Sequence, residues 1–230
     1  RYISVTGVQT CALPIWGWRI AFLLGLIIGL IVFFIRKNLP EDNEIIEEKV
    51  LRPSPLIEVI KQEWRSILKI IGVTLRGTVG FYLCFVYLTT WLTQNTKISN
   101  STALLLNSIA ILLMVILMPV AGYISDKIGP KKVLTLGAAA TSILSWPLFS
   151  LMTTPNVYWI LGGQCFFALL MSTLGASPAF MVDAFPKHLR CTGLSIGYNL
   201  ATAIFGGTVP LIATYLIKIT DYPLAPGIYL

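Results

Sequence analysis

The sequence predicts an all-α protein embedded in a membrane, on three observations. Of its 230 residues, 56% are hydrophobic and 12% charged, against about 25% charged in an ordinary soluble domain; mean hydropathy is +0.79. The apolar residues fall in runs of about twenty or more, the length at which a helix rising ~1.5 Å per residue crosses a ~30 Å hydrocarbon core. Lys and Arg gather at the ends of these runs and form no continuous basic face. The net charge of +7 therefore speaks for membrane topology rather than for nucleic acid.

The elements follow in order. Residues 1–15, RYISVTGVQTCALPI, are polar and small, then change abruptly to WGWRIAFLLG. Over 5–15 they resemble the translation of a common short-read sequencing adapter, so 1–15 is set aside as non-native and Cys11 with it. The first span covers 16–36: Trp16 and Trp18 suit an interfacial belt, Arg19 snorkels beside them, and Arg36 and Lys37 close the run. Residues 37–65 are too charged to span. Within them, 55–64 predicts a short helix on the membrane face, with Leu56, Val59 and Ile60 on one side.

Within the region 66–230, the second span, 66–92, is interrupted by Arg76 and carries Tyr82, Tyr87 and Trp91. The third, 102–124, carries Asn107, and the fourth is 133–152, closed by the turn Thr153-Thr154-Pro155-Asn156. The fifth, 157–182, is rich in Gly, Ala and Ser, which lets helices approach closely. The sixth is 192–217, and another apolar run starts near 225, so both ends of the sequence read as cut.

The loops orient the chain. Linker 36–65 holds Arg36, Lys37, Lys49, Arg52, Lys61 and Arg65; loop 125–132 holds Lys127, Lys131 and Lys132; loop 183–190 holds Lys187 and Arg190. The alternate side has Lys97, Lys218 and Arg19, so the balance is eleven to three. Cytoplasmic loops carry the excess of basic residues, which makes the linker and both charged hairpins cytoplasmic.

Two hairpins carry patterned residues. Gly122, Asp126, Gly129, Lys131 and Lys132 give G-x-x-x-D-K-x-G-x-K-K, where a turn and positive loops account for the lysines and Gly129-Pro130 but not for Asp126 or Gly122. Asp183 and the spacing Pro186-x-x-x-Arg190-x-x-Gly193 mark the other, and WGWR at 16–19, Tyr198-Asn199, Phe205-Gly206-Gly207 and Pro210 complete the set. Together these resemble the major facilitator superfamily of secondary transporters, and within it the metabolite:proton symporter family. The resemblance covers 16–230. It implies the C-terminal half of a twelve-helix fold: helix six, the central loop, helices seven to eleven and the first residues of helix twelve. It also implies that Gly122, Asp126, Gly129, Lys131, Lys132, Asp183 and Arg190 serve conformational gating, with Asp126 making charge and helix-end contacts that break and re-form as the halves rock.

Arg76 is the costliest residue, since a charge at a helix centre carries about 2.5–3.5 kcal/mol on insertion scales. It either snorkels to the cytoplasmic side along Lys69 or faces a cavity, where it would meet a substrate carboxylate or an acid of the missing half. Trp91 suits the outer interface, whereas Tyr82 and Tyr87 suit either packing or a quaternary-ammonium site, because aromatic faces attract such cations. Asn107, Gln164 and Asn199 are amides in apolar helices, where hydrogen bonding between helices is the ordinary role; Asn199, beside Gly197, is the substrate candidate among them.

The sequence excludes more than it names. Cys11, Cys84, Cys165 and Cys191 are far apart, His188 is the one histidine, and no pattern suggests a cofactor, a metal site or a nucleophile–base pair. No acid lies inside a span, so a proton-coupling carboxylate belongs to the missing N-terminal half. The resemblance implies proton-coupled uptake of a small osmolyte such as proline or glycine betaine across a bacterial inner membrane. The alternatives are a carboxylate metabolite (citrate, 2-oxoglutarate or shikimate type) or a transporter-like sensor. The partners expected are a small-molecule substrate, the proton, the lipid bilayer and the other half of the chain.

Overall fold

A computed structural model describes residues 6–38, 55–96 and 98–230. The chain divides into two units, Arg1–Arg52 and Pro53–Leu230. The first holds one helix, α1 (Thr6–Lys37), whose last turn carries Arg36 and Lys37, where cations suit the negative end of the helix dipole. Its backbone reaches into the segment that the sequence sets aside, and helical form carries no information about that segment's origin. The acidic part of the linker, 39–54, lies outside the described residues.

The second unit is a helical bundle: α2 (Pro55–Gln62), α3 (Trp64–Asn95), α4 (Asn100–Ile128), α5 (Pro130–Leu151), α6 (Val157–Asp183), α7 (Lys187–Thr220) and α8 (Ala225–Tyr229). Five of these, α3 to α7, are long and apolar enough to cross a membrane. With no strand among the described residues, the all-α membrane fold stands.

Helix ends sit where the local chemistry places them. Ser99 caps α4 by accepting a hydrogen bond from the Thr102 N–H at 3.2 Å, and the Asn156 side chain accepts one from the Tyr158 N–H at 2.9 Å to open α6. Gly129 ends α4 at φ +95°, donating its N–H to the Ser125 carbonyl at 2.8 Å, and Pro130 then occupies the first turn of α5. A residue with a Cβ is strained at that φ, and proline in the first turn forfeits no helical bond. The Gly-Pro pair thus turns the chain between two spans within one residue.

Small residues set how closely the spans approach. A Cβ built on Gly175 of α6 would collide with the backbone carbonyl of Met118 on α4, and one on Gly122 would lie 3.9 Å from the Gly175 carbonyl. Gly122, the first position of the hairpin motif, thus lies where the backbones of α4 and α6 nearly touch. On α6 the contact falls in a 3₁₀ stretch, Thr173–Ala176, a local tightening of the helix.

The main core joins α3, α4, α5, α6 and α7. Its centre is aromatic: Trp91 meets Phe149 edge-on at 5.3 Å, and Phe149 meets Phe167 at 5.6 Å. Trp91 is fully buried, with its Nε1–H donated to the Pro223 carbonyl at 2.7 Å. This corrects the interfacial placement expected from its position near a helix end, because the chain before α8 folds back over it. Tyr87 is likewise buried in this core.

A smaller core joins α2, α3 and the turn before α7, where Val59 of α2 is buried with Ile67, Ile70, Phe185 and Leu189. His188 Nε2 lies 3.4 Å from Glu58 Oε1 across the same joint. Val59 therefore turns inward, while Leu56 and Ile60, expected on the same side, are exposed.

The glycine contact makes a direct test. Gly175→Ala is expected to cost about 1–3 kcal/mol, the range for overpacking a tight contact. Gly162→Ala, whose Cβ would meet nothing within 4 Å, should be neutral or gain up to about 1 kcal/mol from helix propensity. Thermal unfolding of the two variants in detergent should differ in that order. Equal melting would mean that α4 and α6 are not in backbone contact.

Candidate functional site

Arg76 organises the candidate site. It lies twelve residues after Trp64 on α3, so roughly 18 Å along a helix rising 1.5 Å per residue. A guanidinium at that depth needs partners, because an unpaired charge away from water costs several kcal/mol. One partner is present: Nη2 donates to Thr173 Oγ1 at 2.8 Å, and the Thr173 hydroxyl in turn donates to the Leu170 carbonyl at 2.6 Å. The side chain thus turns into the bundle and ties α3 to the 3₁₀ stretch of α6. The Nε and Nη1 groups are buried without a hydrogen-bond partner.

Gly137 of α5 makes this geometry possible. A Cβ there would sit 2.7 Å from Nη2 of Arg76 and would overlap the Thr173 hydroxyl. Three helices therefore converge on one hydrogen bond, and the small side is supplied by glycine. Neither Gly137 nor Thr173 was singled out from the sequence. The available signal was the run Gly137-Ala138-Ala139-Ala140 within reach of a span that carries a charge.

Arg76 borders two spaces. A cavity of about 260 Å³ is lined by Arg76 with Val79, Thr141, Ser142, Phe205 and Tyr229. A groove of about 310 Å³ on its other side is lined by Arg76 with Thr135, Phe180 and Lys131. No Asp or Glu side chain lines either space. Arg76 is the cation beside both spaces, with Lys131 a second at the groove, and a carboxylate is the natural partner of a guanidinium.

The other sequence candidates are placed differently. Tyr82 opens a π-helical stretch of α3, Tyr82–Tyr87, which packs near a second π-helical stretch on α7, Thr202–Gly206. A Cβ on Gly206 would lie 3.3 Å from the Tyr82 ring, so Tyr82 abuts α7 one residue from Phe205, which lines the Arg76 cavity. Such π-bulges recur at functional sites. Tyr87 lines neither space and lies in the apolar core. Asn199 is exposed on α7 and lines neither space. Gln164 is fully buried with neither amide atom bonded, and Asn107 Oδ1 is also without a partner. The interhelical hydrogen bonds expected of these two amides are not formed.

The patterned hairpins join α4 to α5 and α6 to α7. Asp126, Lys131, Lys132 and Asp183 are exposed, and Lys127 Nζ lies over the Tyr123 ring at 4.5 Å. Among the described residues Asp126 makes no ion pair. Arg190 donates from Nε to the Phe185 carbonyl at 3.1 Å, and a Cβ on Gly193 would sit 2.5 Å from the Phe185 ring. The P-x-x-x-R-x-x-G spacing therefore folds its own turn: arginine holds the backbone at Phe185 and glycine admits its ring. Among the described residues no three His, Cys, Asp or Glu gather as a metal site.

The model of the Major Facilitator Superfamily matches residues 10–210. A Staphylococcus haemolyticus protein named as a proline/betaine transporter is 33% identical over 220 residues, covering 94% of this chain and 47% of that protein. The ectoine/proline transporter ProP of Corynebacterium glutamicum is 29% identical over 233 residues, covering 95% and 46%. The citrate-proton symporter of Salmonella typhi is 31% identical over 226 residues, covering 95% and 51%. The chain thus spans about half the length of the curated relatives it matches. No solved structure matches it.

The three-helix junction predicts the effect of closing the glycine gap. Gly137→Ala should displace the Arg76 guanidinium and cost about 1.5–3 kcal/mol, the range for a hydrogen bond to a charged group. Unfolding of the full-length protein would measure it. A variant as stable as the parent would show that Arg76 does not approach α5 so closely.

Proposed function

The chain belongs to the major facilitator superfamily, and on that premise we propose that it is half of a secondary active transporter for a small carboxylate-bearing solute. In this reading it supplies the C-terminal half of a twelve-helix fold in a bacterial inner membrane. The two halves rock about a midplane site, the alternating-access mode of such folds. The observation that carries the substrate class is Arg76, a membrane-depth guanidinium whose Nε and Nη1 have no hydrogen-bond partner, beside a cavity lined by no Asp or Glu side chain. Proline, betaine, ectoine and citrate, the solutes in the names of the similar proteins, all carry a carboxylate.

Within that class we favour a zwitterionic osmolyte such as proline or glycine betaine. Two of the three names point that way, and Tyr82 adds an aromatic face close to the cavity on which a quaternary ammonium group would sit. Tyr87 is dropped from the site because it is core. The second reading, a citrate-like polyanion, is favoured by Lys131, which lines the groove that Arg76 also lines. Proton coupling falls to the other half of the protein, since the acids at 126 and 183 lie at helix ends. Gating by the Gly122–Lys132 hairpin and by Asp183 and Arg190 is part of the same proposal, with Asp126 exposed and available to a neighbour.

The test is counterflow in proteoliposomes of the full-length protein, preloaded with glycine betaine or with citrate. Betaine exchange without citrate exchange is the expected result, and the reverse selects the second reading. Exchange of neither, nor of proline, would contradict transport of this class. Arg76→Gln should weaken apparent affinity roughly ten- to hundredfold, the equivalent of losing a charged hydrogen bond. Unchanged affinity would remove Arg76 from the site.

A further inference from the structure

Beyond the transport site, we propose that the groove between α4, α5 and α6 is a binding site for an anionic phospholipid of the cytoplasmic leaflet. One acyl chain lies in the groove and the headgroup is held by Lys127 and Lys132. The groove has a volume of about 330 Å³, within the ~300–1,000 Å³ of ligand sites. It is lined almost entirely by aliphatic side chains, among them Leu117, Ile124 and Ile128 of α4, Leu136 and Ala140 of α5, and Leu169 of α6.

Its polar lining is already satisfied. Ser172 donates to the Leu169 carbonyl at 2.7 Å and Thr173 to the Leu170 carbonyl at 2.6 Å. A polar ligand or a file of water would find few partners there, whereas a hydrocarbon chain loses nothing. The rim is apolar and open, with Ile124, Ile128, Leu136 and Leu169 each 45–65% exposed.

Length and charge then select the occupant. From Leu117 to Ile128 the groove follows eleven residues of α4, roughly 16 Å at 1.5 Å per residue. That is about half of a ~30 Å hydrocarbon core, the reach of one leaflet's acyl chain. It ends at the hairpin that the charge count makes cytoplasmic. Lys132 directly precedes the lining residue Val133 and lies one turn before Leu136, while Lys127 directly precedes Ile128 and has its Nζ over the exposed Tyr123 ring at 4.5 Å. Against these two and Lys131 the hairpin sets one acid, Asp126, so its balance favours an anionic headgroup. The groove shares no lining residue with the Arg76 cavity, although Gly137 and Thr173, which hold Arg76, form part of its wall, and it does not depend on which solute is carried.

Native mass spectrometry of the full-length protein with dioleoyl phosphatidylglycerol and with dioleoyl phosphatidylcholine tests this. Phosphatidylglycerol should be retained preferentially. Lys127→Gln with Lys132→Gln should cut its affinity about 25-fold, at about fivefold per lysine for a membrane-surface cation, and leave phosphatidylcholine binding unchanged. Ala140→Phe, which fills the groove, should weaken both lipids. Equal retention of the two lipids, or a preference unaltered by the lysine variant, would overturn the proposal. The lysine pair is exposed, so that variant remains a fair test even if Ala140→Phe fails to fold.

Discussion

A guanidinium at membrane depth is the constraint around which this bundle is arranged. Arg76 cannot be left in hydrocarbon, and its position on α3 puts it too far inside to be ignored energetically. The fold answers by turning the side chain inward onto Thr173, across a gap that Gly137 leaves open. That arrangement requires a tightened stretch of α6 at Thr173–Ala176. The same stretch contains Gly175, whose contact with Met118 brings α4 alongside. A single polar tie is therefore coupled to the spacing of α3, α4, α5 and α6. The tie leaves Nε and Nη1 buried without a partner.

The residues that mark the family in the sequence divide into two physical kinds. Gly122, Gly129, Arg190 and Gly193 act locally, by permitting a backbone approach, a positive φ, a turn held by arginine or a buried ring. Asp126, Lys131, Lys132 and Asp183 are exposed at helix ends. Exposed charges of this kind are free to exchange partners when a rigid body rocks, which packed glycines are not.

The fold class was legible because it rests on composition and run length, which the bilayer imposes on every spanning helix. Arg76 was legible as costly but not in direction. Snorkelling and burial are equally compatible with its place in the run, and the deciding glycine lies 61 residues away on another helix. Trp91 shows the opposite failure: a tryptophan near a helix end ordinarily marks an interface, but here the segment before α8 covers it and accepts its N–H. Tyr87 was open between packing and a cavity, and packing holds, since the faces of α3 and α6 that meet the core depend on packing among helices of nearly uniform hydrophobicity. Periodicity distinguishes faces only where one side is polar, and lipid removes that contrast.

The central claim, that Arg76 is held inside the bundle by Thr173, is tested most directly by a double-mutant cycle. Unfolding free energies of the full-length protein would be measured for the parent, Arg76→Gln, Thr173→Val and the combined variant. Groups in contact couple by about 0.5–3 kcal/mol, whereas distant ones add within about 0.3–0.5 kcal/mol. A coupling near or above 1 kcal/mol is the expected result. Additive effects would mean that the guanidinium leaves α6 alone and takes its partners elsewhere.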